Sequence, residues 1–419
     1  MPKISDSINL KNIVCPFCSL HCDDISIDVT DNKLSVKNDL LPSCKAKFEK
    51  HNRKIFNQQL CLIKGKETDY KKASDYCKKL ISNSRETLML NASSDVNISR
   101  EILSSASKIN GIVDHINSNI FLKNIAIYQR RGYMATTLTE IKNKSDTIIL
   151  FSDNILRSYP RLMEMVLAPK NSFSINPKNK KIFVIGDKKS NVRGCSHKDS
   201  RITFINYDNK NIPLLLESLV SKTNKTKLSN QIFNKLLKSI SKAKYLSILW
   251  STSELIKYNK CEQIIYKISE YIVLINETSR AACLSISGND GDASSMQTSA
   301  WISGFPTRVK FTGNYFEYDK DAYNSKELIE SNSVDLVIYI NSISSKKLIL
   351  NKKHKNIIIG QPTTKYNINP DVFIPCGVPG IDYKGHIFRM DNVVSLPLSA
   401  VKVSKFQSAQ QILRDITKE

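Results

Sequence analysis

What most constrains this chain is an alternation. From about residue 70 onward, short apolar runs rich in β-branched residues take turns with longer stretches whose apolar residues recur every three to four positions. The short runs read as strands over 87–91, 147–151, 181–185, 201–205, 245–250, 271–275, 334–340 and 356–359. The longer stretches read as helices over 70–82, 98–109, 158–167, 212–221, 231–242 and 260–269. In the first of these, Ala73, Tyr76, Cys77, Leu80 and Ile81 fall on one stripe of a 3.6-residue period, the mark of a helix with one buried face. Alternation of this kind predicts parallel sheets covered on both faces, because parallel neighbours are joined only by crossovers. The expected fold class is therefore α/β, with room in 419 residues for two or three domains. The polar segment 221–230 (SKTNKTKLSN) reads as a surface loop or domain connection.

A different piece precedes the alternating region. Of ten cysteines, four fall in the first 44 residues: Cys15, Cys18, Cys22 and Cys44, spaced C-x2-C-x3-C-x21-C. Between the third and fourth, 25–29 and 33–37 read as a hairpin turning through Thr30-Asp31-Asn32. Four thiolates can hold a tetrahedral zinc or the corners of an iron–sulfur cube. A zinc ribbon usually pairs two C-x2-C knuckles and only one is present, which favours a [4Fe–4S] cluster. Zinc and an empty site stay open. His21, inside the loop, reads as solvent-facing or as a neighbour of the ligands. The N-terminal stretch shows no apolar signal region, so a reducing, cytoplasmic setting is expected and a disulfide framework is not. The longest apolar runs, such as 336–340 and 272–275, are far too short to span a bilayer.

The net charge is +23, from 62 Lys and Arg against 39 Asp and Glu. Such a balance invites a nucleic-acid reading. The lysines, however, are spread along the whole chain, and no aromatic–basic signature accompanies them. Compositional bias of the coding DNA is the plainer reading, followed by attraction of an anionic ligand or of an acidic partner. Cys61, Cys77, Cys261 and Cys283 sit in apolar contexts and read as buried thiols. Cys195-Ser196-His197 pairs a nucleophile with a histidine at a spacing that rarely reaches catalytic geometry, and Cys376 is given no role.

The run CPFCSLHCDD resembles the N-terminal cluster domain of the molybdopterin oxidoreductases, and in particular the B subunits of formylmethanofuran dehydrogenases and of bacterial formyltransferase/hydrolase complexes. The similarity continues through Gly132-Tyr133-Met134-Ala135-Thr136-Thr137 and through Gly288-Asn289-Asp290-Gly291-Asp292-Ala293. It goes on at Gln297 to Trp301, Gly304-Phe305-Pro306-Thr307-Arg308 and Tyr315-Phe316-Glu317-Tyr318-Asp319, and closes with Pro379-Gly380-Ile381-Asp382 and Phe388-Arg389-Met390-Asp391. Each motif alone is weak; their order is specific.

What the resemblance implies is a small cysteine domain (1–60) followed by two interleaved α/β domains, one formed by 61–130 with 240–419 and the other by 131–239. It also implies that Gly288, Asn289, Asp290, Gly291, Asp292, Gln297, Trp301, Gly304 and Arg308 line the remnant of a pterin dinucleotide cleft. Read on their own, these residues make a tight loop entering a helix over 295–302 capped by Asp292 or Ser294, with Trp301, Phe305 and Tyr315 as core or interface aromatics.

One departure outweighs the matches. Catalytic members of the family bind molybdenum or tungsten through a cysteine or selenocysteine ahead of the Gly-Tyr motif. Here 113–121 reads VDHINSNIF, and no cysteine lies between Cys77 and Cys195. A soft, high-valent metal needs such a donor. Molybdopterin is therefore expected to be absent, no residue is assigned a catalytic role, and the chain is expected to be a non-redox subunit. The resemblance makes its partners the hydrolase, formyltransferase and barrel-type subunits of a formyltransferase/hydrolase complex, with no membrane. Two rivals remain, an active molybdenum or tungsten formylmethanofuran dehydrogenase subunit and a basic, zinc-containing nucleic-acid-binding protein.

Overall fold

The computed structural model describes residues 8–57, 60–152, 154–186, 199–286, 288, 291–313 and 315–418. It divides into two compact units, Met1–Ser118 with Gly288–Glu419, and Asn119–Ser287.

The first unit opens on a three-stranded antiparallel meander, Ile8–Ile13, Ile25–Thr30 and Lys33–Val36. Asp31 and Asn32 turn the hairpin with φ of 50° and 60°, the left-handed pair that matches strand twist. Ile25, Ile27, Leu34 and Val36 are buried, alternate residues on one face. The main sheet has nine strands in the order Tyr315–Tyr318, Val309–Thr312, Ile112–His115, Thr87–Ser93, Leu336–Asn341, Lys355–Gly360, Val372–Pro375, Cys61–Ile63, Lys66–Thr68. Its five central strands are parallel and the two strands at either margin run antiparallel to their neighbours. Every residue of Thr87–Ser93 and of Leu336–Asn341 is buried, as strands covered on both faces require. The expected stripe on the helix Tyr70–Ser82 packs onto this sheet through Ala73 and Cys77. Asp69 and Asp95 cap Tyr70–Ser82 and Val96–Lys108 by accepting the N–H groups of Lys72 and Ile98.

The second unit is a five-stranded parallel sheet, ordered Ile202–Asn206, Lys181–Gly186, Thr147–Phe151, Tyr245–Trp250, Arg280–Ser285. Its core gathers Phe151, Phe183, Phe233 and Trp250 with the helices Ile212–Ser221, Asn230–Ser241 and Cys261–Asn276. The α/β expectation with parallel sheets holds in both units.

Several local expectations are corrected. Residues 271–275 are the last turns of the helix Cys261–Asn276. Ile264, Ile268, Tyr271 and Ile272 are buried while Val273 and Leu274 are exposed, a 3.6-residue period continued from upstream. The strand lies just beyond, at Arg280–Ser285. The helix expected over 158–167 breaks into Asn154–Ser158 and a π-helical turn, Met163–Leu167, because Pro160 supplies no N–H and disfavours a helical residue before it. The boundary expected at 240 is not where the units divide: Tyr245–Trp250 hydrogen-bonds to Thr147–Phe151, which ties 240–287 to the second unit. Among the described residues no helix is long and apolar enough to cross a membrane.

Candidate functional site

Cys15, Cys18 and Cys22 lie in one loop after the strand Ile8–Ile13. The Cys15 N–H bonds the Cys22 carbonyl at 2.8 Å and the His21 N–H bonds the Cys18 carbonyl at 2.9 Å. His21, at φ 44°, also sets its Nδ1 2.9 Å from the Cys15 carbonyl oxygen. It is buried rather than solvent-facing, and burial lowers its pKa to about 4, so the ring is neutral at pH 7. Burial, reinforced by the neighbouring Cys18 and Cys22 thiols, pushes the Cys15 thiol well up. Cys44 lies in the first turn of the helix Pro42–Glu49. That helix and the cysteine loop pack through Phe17, whose ring meets Phe48 edge-on at 5.0 Å.

The donor chemistry suits a cluster, and three of the four thiols share a loop. Yet among the described residues no group of three or more His, Cys, Asp or Glu side chains is arranged to hold a metal ion. None of the nine described cysteines is in a disulfide. Burial pushes the Cys61 and Cys261 thiols up to about 11 and Cys283 to about 12, which makes them inert packing residues, as expected. Cys195-Ser196-His197 falls outside the described residues.

The 288–308 segment is built around two glycines and a buried ion pair. Gly288 has φ 117° and lies against Ser19 of the cysteine loop, whose Oγ would be 3.3 Å from an added Cβ. Asn289 and Asp290 lie outside the described residues. Gly291, at φ 105°, is the N-cap of the helix Asp292–Ser303, in place of the Asp292 or Ser294 cap expected. A Cβ here would sit 1.8 Å from the Ser94 carbonyl oxygen, so only glycine lets the helix start this close to the end of Thr87–Ser93.

Asp292 is turned inward. Its carboxylate accepts both hydrogen-bond contacts from Asn117 Nδ2, at 3.0 and 3.3 Å, and faces His115 Nε2 at 3.5 Å. His115 Nδ1 accepts the Asn117 N–H at 3.0 Å, which leaves the ring proton on Nε2, toward Asp292. Burial lowers the His115 pKa to about 4.

Arg308, expected in the cleft, is instead 4% exposed and committed to the interior. Its Nε is 3.7 Å from Asp114 Oδ1, its Nη2 donates to Ser118 Oγ at 3.1 Å, and its Nη1 donates to the Lys320 carbonyl. Asp114 is also held by Thr307 Oγ1 at 3.1 Å and by the Ser325 N–H at 2.8 Å. Such a pair keeps two buried charges compensated. Gln297 is half-buried and Gly304 ends the helix at φ 80°. Trp301 is 59% exposed with one edge on Phe388, while Phe305 stacks on Tyr318 at 4.5 Å.

Open α/β sheets bind ligands at the carboxyl ends of their strands. In the nine-stranded sheet that crest is occupied by the chain's own polar groups, a cluster that sequence reasoning missed. Ser93 Oγ donates to Asn341 Oδ1 at 2.8 Å and accepts the N–H groups of Ile343 and Ser344 at 2.9 and 2.8 Å. Gln361 Nε2 donates to the Ile343 and Ser344 carbonyls, and Asn91 Nδ2 donates to Ser94 Oγ and Ser295 Oγ at 2.7 and 3.0 Å. All of these side chains except Ser295 and Ser344, which are nearly so, are essentially fully buried. Lys50 reaches over the crest to Ser345 and Gln361. The available signal was an Asn, Ser or Gln at the end of three strand runs that lie side by side in the sheet.

No family model matches the chain. Two relatives align with most of its length. The B subunit of the tungsten-containing formylmethanofuran dehydrogenase 2 of Methanococcus maripaludis is 22% identical over 417 residues, covering 94% of each chain. The protein of the same name in Methanocaldococcus jannaschii is 19% identical over 406 residues, covering 92% of each. Among solved structures, a chain of the formyltransferase/hydrolase complex of Methylorubrum extorquens, crystallised with methylofuran, superposes with a TM-score of 0.67 at 18% identity. That match covers 85% of this chain and 97% of the other.

Proposed function

We propose that this chain, a homologue of the B subunits of formylmethanofuran dehydrogenases, is a non-redox structural subunit of a formyltransferase/hydrolase complex. Its partners in this reading are the hydrolase, formyltransferase and barrel-type subunits. The complex would exchange a formyl group between formyl-tetrahydromethanopterin and a methanofuran analogue and hydrolyse the formyl-methanofuran analogue to formate. The molybdopterin-oxidoreductase-like fold with its small cysteine domain belongs to the same proposal.

The observation that carries the reading is the segment after the strand Ile112–His115. Family resemblance puts the metal thiolate ahead of Gly132-Tyr133, and this stretch has none. Asp114 and His115 could offer only oxygen or nitrogen, and both are buried among internal partners. Two-electron formate chemistry belongs to the metal cofactor, so a subunit without its ligand supplies architecture instead. The polar crest of the sheet supports this, since most of the side-chain groups that would cradle a dinucleotide are bonded to the chain itself, Asn91 Oδ1 excepted.

The rival reading, a working tungsten or molybdenum subunit, has the names of the two relatives in its favour. Elemental analysis of the anaerobically purified complex separates the two. The expected result is hydrolase and formyltransferase subunits co-purifying with the chain, no molybdenum or tungsten, about four irons per chain from a [4Fe–4S] cluster at Cys15, Cys18, Cys22 and Cys44, and no formate oxidation. Stoichiometric molybdenum or tungsten would overturn the proposal, and zinc in place of iron would replace the cluster with a zinc site at the same cysteines.

A further inference from the structure

We propose that the groove between the helices Val96–Lys108 and Ala409–Ile416 docks an acidic, partly apolar segment of another subunit. The inference rests on the subunit reading and adds to it a place and a chemistry. One wall of the groove is the row Arg100, Ser104 and Lys108, spaced four residues apart along a single helix face; Gln410 and Arg414, also four apart, form the wall opposite. Leu103 and Phe311 make an apolar floor, and Ile302 and Phe316 close one end while remaining 45% and 41% exposed. The volume, about 550 Å³, suits a few side chains of an extended or helical segment, not a folded domain.

Two independent features say what belongs there. The first is charge. Three cations line the groove against one carboxylate, Glu101, and that carboxylate is already taken by Arg414 Nε at 2.7 Å. Arg100 and Lys108 are both exposed on a rigid helix, about 12 Å apart by its 1.5 Å rise per residue, and call for carboxylates at a matching spacing. The second is the sheet edge. Phe316 belongs to Tyr315–Tyr318, an outer strand of the nine-stranded sheet. The opposite edge, Lys66–Thr68, is three residues long and presents the charged Lys66 and Glu67, the usual defence against unwanted pairing. The edge beside the groove presents Tyr315 and Phe316 together with the single charge of Glu317, a largely apolar surface of the kind that an interface covers. An occupant with an apolar side chain flanked by two carboxylates would satisfy the floor, the end wall and both cations together.

The test uses the assembled complex with a photo-crosslinking residue in place of Ser104. The expected product is a single crosslink to a peptide of another subunit that carries at least two carboxylates. Arg100→Glu with Lys108→Glu should weaken retention of that subunit tenfold or more, and exchanging the peptide's carboxylates for lysines should restore it. A control of equal charge change on a different surface, Lys64→Glu with Lys352→Glu, should leave retention unaltered. A crosslink to a second copy of this chain, an equal effect of the control pair, or an intact complex with no crosslink would each overturn the docking surface and leave the subunit reading standing. A chain that co-purifies with no other subunit would overturn both.

Discussion

Gly291 and Gly304 flank the same helix with the same kind of backbone, yet they carry different weight. Both have positive φ, 105° and 80°. Around Gly304 nothing lies within 4 Å of an added Cβ, whereas at Gly291 the Ser94 carbonyl oxygen would be 1.8 Å away. Gly304→Ala is expected to cost only the left-handed penalty of about 1 kcal/mol. Gly291→Ala must also push backbone from backbone and is expected to cost about 3 kcal/mol or more. Urea unfolding midpoints at unchanged slope check this, and equal costs would mean the close approach does not exist. The motif around Gly291 was legible in the sequence as a tight loop; the reason for the glycine was not, because Ser94 is almost 200 residues away in the chain. The surroundings of Arg308 were illegible for a similar reason. Its neighbours in sequence do not reveal Asp114, and an arginine reads as a ligand-binding group until its buried partner is seen.

Elements show where periodicity succeeds and where it is ambiguous. The Tyr70–Ser82 helix was legible because its polar and apolar faces are well separated. The run 271–275 was not, since a short, β-branched apolar stretch satisfies a strand as readily as the end of a buried helix. Only the phase set by Ile264 and Ile268 decides. A helix buries Tyr271 and Ile272 and exposes Val273 and Leu274, whereas a strand would put residues 272 and 274 on one face. Ile272→Ala is therefore expected to cost about 2–4 kcal/mol and Leu274→Ala under about 1 kcal/mol. Similar costs at the two positions by chemical denaturation would sink the helical assignment. A short strand such as Ile112–His115 escaped notice because four residues hold too few periods to register.

At the scale of the whole molecule, buried ionisable groups set a dependence on pH. Burial lowers the pKa of His115 to about 4 and of His51 to about 3, so both are neutral in the folded chain. In the unfolded chain they bind protons below their ordinary value of about 6.5, so the stability they contribute is present above that pH and is lost as pH falls toward the folded values. Asp95 acts in the opposite sense. Burial raises its pKa to about 6, which lowers stability as pH rises from its ordinary value of about 4 to 6. Two histidines with wider gaps outweigh one aspartate, so urea unfolding should find the chain less stable at pH 4.5 than at pH 7, by on the order of a few kcal/mol. Equal or greater stability at pH 4.5 would show that these groups are not buried as described. The sequence by itself determined the α/β class, the parallel sheets, the N-terminal cysteine loop and the lack of any cysteine between Cys77 and Cys195, because each depends on local period, spacing or the absence of a residue type. The tertiary structure alone decided that 240–287 completes the second sheet, that Arg308 and Asp292 turn inward, and that Asn91, Ser93, Asn341 and Gln361 fill the crest. Those outcomes depend on which distant residue meets a strand end or a buried charge, and a one-dimensional pattern does not encode that meeting.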